Sequence, residues 1–413
     1  MTKIKFLFML CLAAIIHSTV SAQGISSEKL IKAINEMATY SSDVVLDKDG
    51  KSRCDYNLID GKWYPYEVPW HTGQIILGLL DTYKITGDKK YLDAAKKAGD
   101  WWISLEIKND PRFAGMIRAV HGDDVGENQV VFATTTDGTH GLFELTKVTG
   151  DKKYANVATS AIKWLKNKMY YPEKGVCYDF ADIKTAEILK DNSPFHPDKK
   201  NQDLYDVARP NTEGSPFKDV YEYTGDTVFL NAYILLCNSI LDKQTPEGAW
   251  MNFTPNSIEK KSFHPRFNLW YAESLLDAYD LTKDKKYLES AARTARLYAG
   301  VQTKDGTIYY DNFLNGKSDK SSVCGSATAF AGIIWIRLAG YGFTEFIPNY
   351  ERSANWLLVN RFSQTHPDPN LRGAVIDTRV RSRKGENTIT QRDVGTTFGM
   401  RFLAAYYNLK FKK

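Results

Sequence analysis

The stretch Thr86-Gly87-Asp88-Lys89-Lys90-Tyr91 decides the fold, because it keeps returning. It recurs as Thr149-Gly150-Asp151-Lys152-Lys153-Tyr154, as Thr282-Lys283-Asp284-Lys285-Lys286-Tyr287, and in part as Thr224-Gly225-Asp226. Each copy follows an apolar segment, such as Gln74–Ile85 or Leu269–Leu281. Each precedes a segment with apolar residues at i, i+3, i+4 spacing, such as Tyr91–Ile103 or Tyr287–Leu297. Glycine just past the first segment suits a left-handed C-cap, and aspartate suits the N-cap of the second. The repeating unit is an αα-hairpin whose first helix is buried all round and whose second is half exposed.

A divergent turn near Gly340-Tyr341-Gly342 supplies a fifth hairpin. A second echo keeps the register: Gly175-Val-Cys-Tyr-Asp-Phe180, Gly248-Ala-Trp-Met-Asn-Phe253 and Gly306-Thr-Ile-Tyr-Tyr-Asp311 follow the outer helices of hairpins two, three and four. An N-terminal helix over about Ser27–Val45 and a C-terminal one over about Gly395–Leu409 raise the count to twelve. The expected architecture is all-α, an (α/α)6 toroid closed by its two terminal helices, with short β-hairpin loops at the rim. An open solenoid of the same hairpins is the alternative, and the single helix at each end argues for closure. No Gly/Ser/Pro-rich linker interrupts residues 23–413, which read as one domain.

Composition narrows the function. The 413 residues are 43% hydrophobic and 25% charged, which excludes a disordered chain, a fibrous repeat and a disulfide-stapled miniprotein. Lysine and arginine (54) barely exceed aspartate and glutamate (49). That balance does not describe a nucleic-acid binder. Residues 1–22 read as a secretory signal peptide, with Lys3 and Lys5 before the apolar run Phe6–Ile16 and small residues Ser21-Ala22 at the cleavage site. The run is too short to span a bilayer and no later stretch is long enough, so the expectation is a periplasmic or secreted protein without membrane insertion. Cys11 lies inside the run without small residues before it, which argues against a lipid anchor. Cys54, Cys177, Cys237 and Cys324 show no metal-ligand or redox spacing. Free thiols and disulfides both stay open, and neither a metal nor a cofactor is called for.

In such a ring the inner helices run parallel, and their N-termini converge on one face, where unpaired N–H groups and helix dipoles favour anions. The residues entering each inner helix are therefore the candidate site. The first hairpin offers Trp63, Tyr64, Tyr66, Trp70, His71 and Gln74; the second His121, Asp124, Asp137 and His140; the third Asp206, Arg209 and Glu213. The fourth offers His264, Arg266, Asn268, Trp270, Tyr271 and Glu273, and the fifth begins at Cys324-Gly-Ser. Ahead of the closing helix stand Asp377, Arg379, Arg392 and Asp393. Asp137, His140, Asp206 and Glu213 are the catalytic candidates. Trp70, His71, Gln74, Asp124, Arg209, Arg266, Asn268, Trp270, Tyr271 and Arg392 are the binding candidates. Each also has a structural reading: Asp137 as an N-cap, His140 as a hydrogen-bonded core histidine, the tryptophans as core. Arg379-Val-Arg381-Ser-Arg383-Lys384 reads first as a solvated loop and second as a carboxylate clamp. Taken jointly, acids, histidines, arginines and aromatics at one rim are the ingredients of a sugar site. Paired carboxylates cleave glycosidic bonds, aromatics stack on sugar faces, and arginines fork onto a uronate carboxylate.

The entry Trp70-His-Thr-Gly73, the Thr-Gly-Asp turns and Thr136-Asp137-Gly138 together resemble the six-hairpin glycosidases, and within them the unsaturated glucuronyl hydrolases. The resemblance implies a hydrolase in which Asp137 protonates the C4=C5 bond of a terminal unsaturated uronic acid. Water then adds at C5 and the product collapses to release the sugar. Asp206, Glu213 or Asp124 would be the second carboxylate and His140 a neighbour. That family's second Asp-bearing helix start, Asp-x-Met-Met-Asn, has no match here. Leu371-Arg-Gly-Ala-Val-Ile-Asp377 instead resembles the ends of uronate epimerases and toroidal polysaccharide lyases, for which Tyr271, His140, Arg266 and Asn268 would supply base and carboxylate contacts. The substrate implied is a uronate-containing oligo- or polysaccharide. A lanthionine-cyclase-like toroid is disfavoured, since Cys324-Gly325 lacks partnering Cys-His ligands. A non-catalytic glycan-binding toroid and a structural or assembly protein are the remaining classes.

Overall fold

The computed structural model describes residues 24–120, 130–132, 136, 138–173, 175–178, 180–188, 215–251, 256–383 and 386–412. Twelve α-helices run through them in pairs. The inner helices are α2 (Val68–Thr86), α4 (Thr139–Thr149), α6 (Pro216–Thr224), α8 (Phe267–Thr282), α10 (Gly325–Gly340) and α12 (Val394–Phe411). The outer ones are α1 (Ser27–Thr39), α3 (Lys89–Ile103), α5 (Lys152–Lys168), α7 (Thr227–Leu241), α9 (Lys285–Val301) and α11 (Ile347–Val359). The ring closes as α12 packs on both α2 and α1. A π-helical segment, Tyr40–Val45, carries α1 to its expected end. The signal-peptide reading of residues 1–22 falls outside the described residues, and no described helix is long and apolar enough to cross a membrane.

The repeated turn works as its residues require. Gly87, Gly150, Gly225 and also Lys283 hold left-handed C-caps at φ 70°, 75°, 75° and 59°. The following aspartates accept from the amides of Lys90, Lys153, Val228 and Lys286. The threonine hydroxyl two residues before each aspartate accepts from that aspartate's own amide. Inner α2 is buried continuously from Val68 to Leu80, whereas outer α3 buries one face.

Two features set the height of the helices around the axis. Helices α2 and α4 touch backbone to backbone: a Cβ on Gly73 would lie 2.2 Å from the Gly138 carbonyl oxygen, and one on Gly141 2.4 Å from that of Gly73. His140 is thereby level with the second turn of α2. Helix α6 begins lower still, where the Ser215 hydroxyl donates to Asp277 of α8 (2.8 Å). Gly73→Ala cannot be accommodated without moving one helix, and we expect a loss of about 3 kcal/mol or more, read as the midpoint of denaturant unfolding. A wild-type midpoint would show that the contact is not close.

The rim is richer in strand than the expected short hairpins. Strands β1 (Asp55–Asn57), β2 (Lys62–Tyr64), β7 (Ser262–Phe263), β8 (Tyr309–Phe313), β9 (Ser318–Val323), β10 (Thr378–Arg383) and β11 (Glu386–Gln391) join in one antiparallel sheet, ordered β2-β1-β11-β10-β9-β8-β7. Separate hairpins would each leave unpaired edges; lateral pairing leaves only β2 and β7 as edges. The sheet gathers the segments entering α2, α8, α10 and α12. Two small ribbons complete the strands: β3 (Val130–Phe132) pairs with β6 (Phe180–Asp182), and β4 (Tyr170–Tyr171) with β5 (Val176–Cys177). The four cysteines after residue 22 are buried and form no disulfide among the described residues.

Candidate active site

Side chains 322 residues apart meet where α2 and α12 begin. The buried His71 Nδ1 lies 2.5 Å from Asp393 Oδ1, and Ser52 donates to the other carboxylate oxygen at 3.0 Å. Burial pushes the Asp393 carboxyl upward, but the charge and hydrogen bond of His71, then Arg392 and Ser52, outweigh it and hold it below the usual carboxylate range. Arg392 Nε donates to both oxygens of Asp55 (3.2 and 3.1 Å), and its guanidinium comes within 3.5 Å of His71 Nε2. Asp55, His71 and Asp393 offer ligand atoms within 4.8 Å of one another, the geometry of a metal trio. A divalent ion there would have to displace Arg392, the fixed cation that already engages two of the three.

Three arginines that feel one another's charge cluster beside this network. Buried Arg266 donates to the Ser326 hydroxyl at 2.7 Å, sits 5.7 Å from the Trp270 ring and 5.8 Å from that of Tyr310, and leaves its Nε without a partner. Arg379, on β10, lies 5.2 Å over Tyr310. Arg392 lies 5.8 Å over Tyr66. The neighbouring carboxylate is engaged elsewhere: Asp377 accepts from Tyr310 Oη (2.5 Å) and the Ser326 amide (2.8 Å). Among the described residues Arg379 pairs with no carboxylate. Burial, followed by repulsion from Arg392 and Arg266, holds its guanidinium below the usual arginine range, even against the pull of Tyr310. A half-buried cation beside two others, with no counter-ion among the described residues, suits an anion.

Trp70 and Trp270 lie buried at the starts of their helices. They come from opposite helices of the ring and meet edge-on, 6.2 Å apart at 76°. One turn further along α2 and α8, a polar layer holds Gln74, Glu273 and Arg401: the arginine donates to Gln74 at 3.2 Å and lies 3.7 Å from Glu273. In the same layer His140 Nδ1 lies 2.9 Å from Asp219 Oδ2. Burial works against a charge on His140, but Asp219 and then Glu144 lift it above the ordinary imidazole range. Burial raises the Glu273 carboxyl against the pull of Arg401, and its Oε2 has no partner. A raised acid lends stability below its unfolded pKa and loses it as pH climbs through the folded value. Glu273→Gln should therefore melt about 3 °C above wild type at pH 8 and level with it below about pH 4. A difference in melting temperature that is constant across this range would contradict the assignment.

The structure brings together Trp70, His71, Arg266, Trp270 and Arg392 from the sequence-derived set, and places Gln74 and His140 in the layer beneath. Two placements are corrected. Asn268 and Tyr271 do not face the axis, because each is rotated by 100° or more from the Arg266–Trp270 stripe of the same helix. Asn268 Oδ1 accepts from the Trp250 amide and from Asn256 Nδ2 (both 3.1 Å), and Tyr271 packs on Trp250 with ring centres 4.9 Å apart. His264 caps α8, accepting from the amides of Arg266 and Phe267. Asp137, Asp206, Glu213, Asp124, Arg209 and His121 lie outside the described residues. Arg379, read first as part of a solvated loop, is a strand residue that pairing with β11 carries into the site. Asp55, Tyr310, Asp219 and Arg401 were missed. Only Tyr310 carried a signal, as part of the echo Gly306–Asp311.

A model of the beta-L-arabinofuranosidase, GH127 catalytic domain matches residues 31–245, more than half of the chain. The chain belongs to this family. Solved structures agree on the architecture. A cellobiose 2-epimerase from Bacillus thermoamylovorans superposes with a TM-score of 0.69 at 13% identity, covering 93% of this chain and 100% of that one. An unsaturated glucuronyl hydrolase from Bacillus sp. GL1 gives 0.66 at 14% identity, covering 92% and 97%. An alpha-1,6-mannanase of Salegentibacter gives 0.56 at 15% identity, covering 92% and 100%. No curated protein matches by sequence. The GH127 chain is thus a carbohydrate-active, glycosidase-like toroid, and its arginine trio lies beyond the stretch that the family model matches.

Proposed function

We propose that this protein is an exported glycoside hydrolase of acidic oligosaccharides, working as an unsaturated glucuronyl hydrolase. The observation that carries the reading is Arg379, a half-buried guanidinium that lies over the Tyr310 ring, feels the charges of Arg266 and Arg392 and has no counter-ion among the described residues. A uronate carboxylate placed there would meet a guanidinium fork, with the Trp270 ring 5.7 Å from Arg266. In an unsaturated uronate the carboxylate is attached to C5, so neutralising it favours attack of water at that carbon. Asp137 carries the proton to C4, as the resemblance implies. The hydrated product then opens and releases the neighbouring sugar as an alcohol. Export rests on residues 1–22.

The test is ultraviolet absorbance of the C4=C5 chromophore. Loss of absorbance from unsaturated oligosaccharides, abolished in Asp137→Asn, is the expected result. A gain from intact uronate polymers would make the protein a lyase. The family match favours one further reading, hydrolysis of a neutral beta-L-arabinofuranoside. Arabinose release without any change in absorbance would establish it and overturn the uronate reading.

A further inference from the structure

Next to the arginine trio, the β1–β2 hairpin holds two tyrosine rings in water. Tyr64 is 47% exposed and Tyr66 38%, although both belong to a firmly anchored segment. Tyr56 and Trp63, paired across the two strands with ring centres 5.0 Å apart, back the hairpin on its other face. Tyr56 donates to Asp368 (2.6 Å) and Trp63 to Asn370 (3.2 Å), pinning it to the 3-10 turn Pro369–Leu371. The segment is also bounded by two non-glycine residues in the left-handed region, Cys54 (φ 63°) and Glu67 (φ 44°), a conformation kept only where the surroundings enforce it. Tyr64 Oη donates to Asp60 at 2.5 Å, which fixes the ring.

The register points this aromatic surface at the site. Tyr64 stands opposite Asp55, on the same face of the sheet, and Asp55 holds Arg392. Tyr66 lies beneath Arg392 and 6.4 Å from the His71 ring. Tyr66 and Tyr64 thus extend aromatic surface from Arg392, one of the trio, to solvent. Exposed aromatics on a rigid support favour a flat, amphipathic ligand, and the apolar face of a sugar ring fits that description.

We propose that Tyr64 and Tyr66 form a second sugar subsite, which stacks an uncharged ring of the same oligosaccharide next to the residue whose carboxylate meets the arginines. The inference rests on the proposed uronate reading for its direction, and the test separates the two. The probes are glucuronate, the unsaturated di- and tetrasaccharides released by lyase from chondroitin, heparin and pectin, and neutral cello- and arabino-oligosaccharides. Each is titrated calorimetrically into wild type, Tyr64→Ala and Tyr64→Phe, with melting temperatures confirming that the variants are folded. Wild-type affinity should rise from glucuronate to tetrasaccharide. Tyr64→Ala should lose about fivefold on the tetrasaccharide while binding glucuronate as before, and Tyr64→Phe should keep most of the gain. Unchanged tetrasaccharide binding in Tyr64→Ala overturns the subsite and leaves the uronate reading standing. Neutral chains that bind with a length dependence lost in Tyr64→Ala support the subsite and overturn the uronate reading. A wild type that binds no probe overturns both.

Discussion

Arg379→Ala should lose about 10²-fold in kcat/KM on an unsaturated uronate substrate while melting no lower than wild type. A charge-assisted hydrogen bond is worth roughly 1.5–3 kcal/mol, and each 1.4 kcal/mol is a factor of ten. The same substitution removes a cation that burial and two neighbouring arginines already disfavour, so the folded state loses nothing it needs. Arg379→Lys should recover only part of the activity, because an ammonium cannot make the two parallel bonds of a guanidinium. The companion variants separate binding from structure. Arg392 neutralises Asp55, and Arg266 is bonded within the core to Ser326, so removing either should lower both activity and stability. An Arg379→Ala protein that melts well below wild type, or keeps full activity, would remove the anion-site assignment.

Asp393→Ala should cost about 3–5 kcal/mol, a fall of roughly 5 °C in melting temperature, because breaking a buried pair strands its partners. His71 loses the contact to Nδ1, the Ser52 hydroxyl loses its acceptor, and Arg392 loses part of its compensating charge. The pH dependence identifies the cause. The folded-state pKa of Asp393 is depressed, so its contribution is present above the unfolded aspartate value near 3.9 and disappears as pH falls through the lower, folded one. The gap between wild type and variant should hold steady from pH 5 to 8 and narrow below about pH 4. A gap that is small throughout, or indifferent to acid, would mean that the pair is not the keystone of the α2–α12 contact.

The division of labour between residues Arg266 to Tyr271 shows where reading by sequence ends. Helix-entry reasoning selected Arg266, Asn268, Trp270 and Tyr271 alike, yet only two face the axis. The end of α8 is legible from its turn chemistry. The rotation of the helix about its own axis is not, because all sides of an inner helix are apolar or occupied and no hydrophobic stripe marks the inward face. Arg379 shows the same limit for strands. Whether an arginine-rich segment is a loop or the middle of a sheet depends on partners far along the chain, here β11 and a single pairing to β9.

By itself, then, the sequence determined the twelve helices, their inner and outer alternation, and the rim at which chemistry would gather. Those features rest on local physics: glycine or its substitute in a left-handed cap, aspartate at an N-cap, and apolar spacing within one helix. Tertiary structure alone decided which rim residues touch. His71 with Asp393, Asp55 with Arg392, and three arginines around Tyr310 are brought together by ring closure and by one sheet drawn from four separate segments. Such contacts depend on helix rotation and strand order, both set by packing across hundreds of residues, and no local pattern carries them.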